Sequence, residues 1–198
     1  MKKALFILLA AAALMAAPKK ADAQVAIGGT GFGFFETGNT IGDPAMNRAA
    51  GISLGASYYQ HVGNAAAVSA GLNYRFVLDP NPKGNEHGLE LPLAFNYFFG
   101  AYKDFVPFVS EGPDDSIIPF VYAGPTLEFG LGGSVPGAKR FDVQNRFNVL
   151  VGAGAGIYLV DNYIILKLGY DYSLMDYSIS DADKQTRHYL RLGVSFVL

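Results

Sequence analysis

The sequence contains no cysteine in 198 residues. A disulfide framework and thiolate chemistry are therefore excluded, because both need cysteine sulfur. Charged residues make up only 16% of the chain, and the formal net charge is −2. Such a chain does not favour nucleic acid as a partner, because that binding depends on neutralising phosphates with many lysines and arginines.

Long hydrophobic runs are confined to the start of the chain. Two lysines precede an apolar run of 14 residues, Ala4 to Ala17, and the small-residue pattern Ala21-Asp22-Ala23 stands before Gln24. This order predicts a secretory signal peptide over residues 1–23, cleaved before Gln24. A membrane anchor is the alternative, but a spanning helix needs about 20 apolar residues.

The mature chain of 175 residues, 24–198, is predicted to be a single domain. Residues 1–23 carry four lysines and one aspartate, so their removal leaves a net charge of −5. No later apolar run reaches 18 residues, which excludes helical membrane spans from this part. Yet 51% of the chain is hydrophobic, with 24 glycines, 15 phenylalanines and 12 tyrosines. This mixture favours strands and turns over helices.

Alternation of apolar and polar residues supports that prediction. In the closing stretch "YLRLGVSFVL", one face carries leucine, valine and phenylalanine, and the other carries Arg191, Gly193 and Ser195 with Val197. Seven earlier stretches follow the same period, although glycine occupies both faces of the first. They are "VAIGGTGFGFFE", "GISLGASYY", "VSAGLNYRF", "LELPLAFNYFF", "VYAGPTLEFGL", "RFNVLVGAGAGIYLV" and "YIILKLGYDYSLMDY". We therefore predict eight strands.

The lengths of the strands and connections indicate a membrane barrel. Strands of about nine to fourteen residues exceed the usual five or six, and about 9 to 11 suffice to cross a bilayer. Short turns, "VGN" and "DN", alternate with the long polar loops "TGNTIGDPAMNR", "DPNPKGNE", "GGSVPGAKRFDVQN" and "DYSISDADKQT". Short periplasmic turns and long external loops are typical of outer-membrane barrels. The connection from Gly100 to Ser116 departs from this rule because it is long where a short turn is expected.

The predicted fold is an all-β, eight-stranded antiparallel up-and-down transmembrane β-barrel in the cell outer membrane. Both termini are expected on the periplasmic side. Aromatic residues near the strand ends fit the two membrane interfaces: Tyr58, Tyr74, Phe76, Tyr97, Phe99, Tyr163, Tyr172 and Tyr177. A soluble barrel would instead bury its apolar face inward.

The chain resembles the small outer-membrane β-barrel proteins of Bacteroidetes, the PorT-like or outer membrane protein β-barrel domain family. The matching pieces, within Leu89 to Leu198, are "LELPLAFNYFF", "IPFVYAGPTLEFGL", "VLVGAGAGIYL", "LKLGYDYSLMD" and "LRLGVSFVL". The resemblance implies an eight-stranded barrel inserted by the outer-membrane assembly machinery. Most members have no established activity. Some are linked to protein secretion and gliding, but no motif in this sequence assigns that role to this chain.

The inner faces of the predicted strands bring three basic and three acidic side chains into one narrow barrel: Arg75, Glu90, Glu128, Lys167, Asp171 and Arg191, accompanied by Asn73, Asn96 and Asn148. Because buried charges must be paired, the near-neutral set predicts a salt-bridge network that fills the interior. Arg191 in particular is expected to face the interior and meet a carboxylate. An ion path or ligand pocket is the alternative, although eight strands leave room only for side chains or one small ligand.

Catalysis and cofactors are not expected. A serine nucleophile needs a base within reach, yet none of the three histidines, His61, His87 and His188, is followed by serine two residues later. The glycine-rich stretches lack the strand, turn and helix context of a phosphate-binding loop. The acidic pieces "SDADK" and "PDD" lack the pattern of a calcium loop. We predict no enzyme activity, no cofactor and no metal.

The predicted function is a structural or interaction role through the external loops of a monomeric barrel with a filled interior. A narrow pore or small-ligand transporter is the first alternative, and a lipid-modifying enzyme is the second. The expected partners are outer-membrane lipids and lipopolysaccharide, the assembly machinery through the C-terminal strand, and other envelope proteins, with no nucleic acid among them. The final strand is expected to carry the insertion signal, with Phe196 two residues before the terminal Leu198.

Overall fold

The computed structural model describes residues 23–38, 48–63, 65–78, 85–99, 117–134, 147–159, 163–175 and 185–198. These residues form eight strands: β1 (Ala23–Gly38), β2 (Arg48–Gly63), β3 (Ala66–Leu78), β4 (Asn85–Phe98), β5 (Ile117–Ser134), β6 (Phe147–Leu159), β7 (Ile164–Ser173) and β8 (Gln185–Val197). In this part of the chain, no helix is long and apolar enough to span a membrane.

Each strand pairs antiparallel with its neighbour in sequence, and β8 returns to pair with β1. The closing register runs from Ala26 opposite Val197 to Gly38 opposite Gln185. The sheet is therefore a closed up-and-down barrel without a free edge, which satisfies the backbone donors and acceptors along its whole circumference. The predicted fold class and strand number are confirmed.

Alternation along the strands places apolar side chains outside and small, polar or charged side chains inside. Large hydrophobic residues stand exposed on the outer face, among them Leu54, Phe95, Leu168 and Leu192. Among the described outward side chains there is no aspartate, glutamate, lysine or arginine. A soluble protein does not expose so continuous an apolar surface, so the outer face is one that contacts lipid.

Most of the predicted interface aromatics that the structure describes lie on this outer face. Tyr74, Tyr97, Phe99 and Tyr172 are exposed there, and Tyr163 is exposed in the turn before β7. Tyr58 is half-buried and donates a hydrogen bond from its hydroxyl to Gln60 Oε1 at 2.9 Å, while Phe76 is also half-buried. Tyr177 lies outside the described residues.

Several strands are longer than the alternation predicted, and residues assigned to loops belong to them. Residues 37–38 extend β1, Asn85 and Glu86 begin β4, residues 132–134 end β5, and residues 185–186 begin β8. Arg48 likewise begins β2, and Val62 and Gly63, assigned to the turn "VGN", end it. Pairing with the adjacent strand continues through these positions, so ladder hydrogen bonds decide the strand ends despite the polar sequence.

Other predictions fall on residues that the structure does not describe. They are the predicted signal peptide up to residue 22, the Gly100–Ser116 connection and the turn at Asp161 and Asn162. Tyr163, which follows that turn, has φ of 50°. This left-handed conformation is common in tight turns.

Gly124 on the inner face of β5 offers a test of how closely the strands approach. A Cβ added there would meet the carbonyl oxygen of Leu93 and lie 2.8 Å from Ala94 Cα. A Cβ added at Gly31, on the outer face of β1, would have Leu192 O at 4.0 Å as its nearest neighbour. Gly124→Ala is expected to lower the free energy of unfolding by about 1–3 kcal/mol through overpacking, while Gly31→Ala leaves it nearly unchanged.

The measurement is urea unfolding in micelles, together with the heat-dependent gel migration that is typical of folded membrane barrels. Equal midpoints for the two variants would contradict the close approach at Gly124.

Candidate functional site

The barrel interior is built in layers along its axis. At the end where β1 begins and β8 ends, buried apolar side chains form a compact layer: Ala26, Tyr59, Ala67, Phe98, Ile118, Phe120, Tyr158, Ile165 and Val197. Towards the other end lies a second apolar group: Phe32, Phe34, Val77, Leu150 and Tyr189. The charged side chains lie between these layers or beside the second one.

Arg191 lies at the centre of the charged network. Its Nη1 atom donates to both carboxylate oxygens of Glu90 at 3.1 Å, and its Nε atom lies 2.5 Å from Asp171 Oδ2. Glu128 Oε1 is 3.8 Å from Nη2. The guanidinium also stacks above the rings of Phe32 and Tyr189. The charge of Arg191 is therefore matched from several sides, as burial requires.

Arg75 is a second cation joined to the same carboxylates. It lies 3.5 Å from Glu128, 4.0 Å from Glu90 and 3.7 Å from Glu86. Its Nη1 atom donates to the hydroxyl of Tyr189 at 3.4 Å, and that hydroxyl donates to Glu128 Oε2 at 3.4 Å. The two arginines thus share Glu90 and Glu128, so neither ion pair can be removed without affecting the other.

Glu128 is held further by a chain of neutral polar groups. Asn148 Nδ2 donates to Glu128 Oε2 at 2.8 Å, and Ser173 Oγ donates to Asn148 Oδ1 at 3.0 Å. All three side chains are buried. A carboxylate that accepts such bonds is fixed in position, because removing any donor would leave a buried acceptor unpaired.

Two members of the network, Glu86 and Arg187, were missed by the sequence analysis. Arg187 donates to Glu86 from both Nη atoms at 3.1 Å, a bidentate pair, and stacks on Phe34 with 4.6 Å between Cζ and the ring centroid. Glu86 falls in the predicted loop "DPNPKGNE", and Arg187 is not in the predicted interior set. Residue parity could have found both, since Glu86 shares a face with Glu90, and Arg187 shares one with Arg191.

Lys167 is placed differently from the other five predicted residues. Its Nζ atom donates to the hydroxyl of Tyr59 at 2.7 Å and lies 5.1 to 5.8 Å from the ring centroids of Tyr59, Phe120 and Tyr122. Among the described residues, no carboxylate lies within 4.0 Å of this nitrogen. The expectation that all six charges meet is therefore wrong for Lys167, which cation–π contacts stabilise instead.

Two of the predicted asparagines lie elsewhere in the interior. Asn96 is buried and donates to Ser69 Oγ at 3.0 Å and to the carbonyl of Ala67 at 3.3 Å. Asn73 lines an internal cavity. Only Asn148 of the three belongs to the charged network.

That cavity has a volume of about 110 Å³ and separates Lys167 from the arginines. Glycine, serine and threonine residues form much of its wall, and Glu90, Asp171 and Arg191 border it. The buried hydroxyl of Ser53 also lines it, and no described residue forms a hydrogen bond with this hydroxyl. Since about 10–15 Å³ of such space holds one water molecule, the cavity has room for several waters or one small molecule.

The three histidines lie in different environments. His61 is on the inner face near the apolar layer, and His87 is on the outer face beside Tyr74, with 6.0 Å between ring centroids. His188 is on the outer face, hydrogen-bonded to Thr37 and Tyr170. In the part of the chain described, no three His, Asp or Glu side chains are placed to hold a metal ion.

Comparisons with known proteins concern the fold. No family model matches the chain, and no curated protein matches it. Among solved structures, Neisserial surface protein A is 13% identical, with a TM-score of 0.50 over 87% of this chain and 96% of that one. Ail, the attachment invasion locus protein of Yersinia pestis, is 12% identical, with a TM-score of 0.48 over 91% of this chain and 100% of that one. The outer membrane enzyme PagL is 14% identical, with a TM-score of 0.48 over 84% and 98%.

At these identities the likeness shows the fold alone. Together with the lipid-compatible outer face, it establishes a small eight-stranded β-barrel of the bacterial outer membrane.

Removal of Arg191 tests the charged network. Arg191→Met would leave Glu90 and Asp171 without their nearest cation, so we expect the free energy of unfolding to fall by about 3–5 kcal/mol. Arg187→Met is the matched control. Its partner Glu86 is 26% exposed, so water can partly replace the lost pair, and the expected loss is about 1 kcal/mol.

Both variants are measured by urea unfolding in micelles, followed by circular dichroism of the strand signal. Equal losses for the two variants would show that the central pairs of Arg191 stabilise the barrel no more than the partly exposed Arg187–Glu86 pair. No loss for Arg191→Met would show that the central pairs do not stabilise it.

Proposed function

We propose that this protein is a non-catalytic, monomeric outer-membrane barrel that acts through its external connections. The observation that carries this proposal is the occupied interior. Between the apolar layer and the second apolar group, Arg75, Arg191 and their carboxylate partners extend across the barrel. A lumen filled in this way leaves the connections and the outer face as the surfaces available for a partner.

The topology supports the choice of connections. Residues 39–47, 79–84, 135–146 and 176–184 join strands at the end of the barrel opposite the described chain ends, and each has at least six residues. At the other end, the β2–β3 and β6–β7 connections are only a few residues long, while the β4–β5 connection, residues 99–116, is long. Since external loops are generally the longer ones in outer-membrane barrels, the end at which all four connections are long is proposed to face the cell exterior.

The expected route to the membrane and the expected partners belong to the same proposal. Residues 1–23 would serve as a cleaved signal peptide, and the β8 strand would be recognised by the assembly machinery. Lipids and lipopolysaccharide would surround the apolar outer face, and other envelope proteins would meet the external connections. The resemblance to the PorT-like family of Bacteroidetes supports this assignment through its quoted motifs.

A small-ligand or narrow-pore function is the alternative, and the internal cavity favours it. A volume of about 110 Å³ beside Lys167 and Ser53 could hold a small polar molecule. The apolar layer, with Tyr59 and Phe120, closes one side of this cavity, and Arg191 borders the other. Passage would therefore require the side chains on both sides to move.

Conductance tests the closed lumen. The purified protein in planar bilayers is expected to give no steady unitary current, because an ion would have to displace paired buried charges. A general porin in the same bilayers shows that insertion and currents can be detected. Steady unitary currents from this protein would overturn the closed lumen and favour the pore.

Lipid analysis tests the absence of catalysis. Cells that express the protein are expected to show the same lipid A mass profile as cells that do not. An epitope inserted in residues 135–146 serves as the control, because its exposure at the cell surface shows that the barrel has been inserted. Loss or transfer of an acyl chain would show that the protein is a lipid-modifying enzyme.

A further inference from the structure

Three adjacent strands bring a polar cluster together on the apolar outer face. His188 Nε2 lies 2.8 Å from Thr37 Oγ1, and His188 Nδ1 lies 2.5 Å from the Tyr170 hydroxyl oxygen. Thr37 belongs to β1, Tyr170 to β7 and His188 to β8. The imidazole therefore connects two hydroxyl groups that a lipid can approach from the side. We call Thr37, Tyr170 and His188 the hydroxyl–imidazole cluster.

The height of this cluster on the barrel fits the headgroup region of a bilayer. His188 precedes Leu198 by ten residues of extended chain. At a rise of about 3.4 Å per residue and a tilt of about 40°, this corresponds to about 26 Å along the membrane normal. The apolar band of such barrels is about 25 Å tall. An apolar band that begins at the exposed Leu198 therefore ends near His188, at the end of the barrel where all four connections are long.

Aromatic rings hold the imidazole in place. The Phe35 ring stacks on it with 4.7 Å between centroids and an interplanar angle of 1°, and Tyr172 meets it edge-on at 5.3 Å. Both contacts also suit a protonated imidazole, because a cation over an aromatic face is stabilised within about 6 Å. The rings restrict the imidazole plane, so both ring nitrogens stay directed at the hydroxyls.

The hydrogen-bond capacities of the three groups determine what the cluster can bind. A neutral imidazole has one donor and one acceptor, so one of the two hydroxyls must use its hydrogen to reach the ring. A protonated imidazole donates from both nitrogens. Thr37 and Tyr170 then both accept from the ring, and both O–H groups are free to donate outwards. Two such donors beside a positive charge suit a phosphate group.

We propose that the hydroxyl–imidazole cluster binds the phosphate group of an anionic lipid at this interface. A lipid rather than free phosphate is the expected ligand, because the exposed Leu190 and Tyr172 flank the cluster on the lipid-contacting face. A lipid can place its phosphate at the hydroxyls and its acyl chains along these side chains. The proposal depends on the membrane placement of the barrel and not on the role of its external connections.

Protonation should strengthen this binding. Among the described side chains packed against His188, the titratable groups are the phenols of Tyr170 and Tyr172. The neighbouring Arg187 faces the interior and is paired with Glu86, and Arg48 is the register partner of Phe35 on β2. A phosphate group should therefore bind more tightly to the protonated imidazole than to the neutral one.

The test measures lipid binding to the folded barrel in micelles by native mass spectrometry. The probe is dimyristoyl phosphatidic acid, and diacylglycerol with the same chains lacks the phosphate. Thr37→Val with Tyr170→Phe removes both hydroxyls while keeping side-chain shape. The control is Tyr74→Phe, because Tyr74 also lies beside a histidine on the outer face, at 6.0 Å from His87. Heat-dependent gel migration confirms that every variant is folded.

We expect the double variant to bind phosphatidic acid about tenfold more weakly at pH 5.5, as the loss of charge-assisted hydrogen bonds implies. Tyr74→Phe should behave like the unchanged protein. Equal affinity of the double variant, or an equal loss in Tyr74→Phe, would overturn the proposal.

Two further outcomes would also overturn it. Displacement of the lipid by inorganic phosphate at equal concentration would show that the ligand is phosphate itself rather than a lipid. Release of fatty acid from the probe would make the cluster a hydrolytic centre instead of a binding site.

Discussion

Pairing of the backbone is the constraint on which the whole structure depends. Within hydrocarbon, an unpaired peptide N–H or C=O costs several kcal/mol because no water can replace the missing partner. The β1–β8 register from Ala26 and Val197 to Gly38 and Gln185 removes the last free edges of the sheet. Closing after eight strands also fixes the width of the lumen. Every interior side chain must then fit a narrow cylinder, and every interior charge must find its partner there.

The narrow lumen explains why glycine and large aromatic residues occur together on the inner face. A Cβ at Gly154 would lie 2.6 Å from the ring of Tyr122, and one at Gly156 would meet the ring of Phe120. The "GAGAG" segment of β6 therefore leaves space for the two rings of β5 that hold Lys167. Glycine here provides room for a neighbour, so the resemblance to a phosphate-binding loop has a structural explanation in packing.

Much of the fold could be predicted from the sequence, because side-chain alternation reports directly which face of a strand a residue occupies. Arg75, Glu90 and Arg191 were placed on the inner face for that reason. Alternation does not report the position of a side chain along the barrel axis, because the register between strands sets that position. Lys167 was therefore grouped with carboxylates that lie across the cavity from it. The His188 contact with Thr37 lies beyond sequence reasoning for a related reason, since the two residues are 151 positions apart.

Among the described side chains of the interior, positive and negative charges are equal in number. The cations are Arg75, Arg187, Arg191 and Lys167, and the carboxylates are Glu86, Glu90, Glu128 and Asp171. The arginine network alone has one more carboxylate than cations, and Lys167 compensates for it from the far side of the cavity. An additional ion would disturb this balance and would require buried pairs to separate, which is costly in a low dielectric. Among the described residues, the outer face has no such network. The polar groups near the interface, above all His188 and the hydroxyls of Thr37 and Tyr170, can therefore exchange hydrogen-bond partners at little cost. Binding of a partner is thus favoured on the outer face rather than in the lumen.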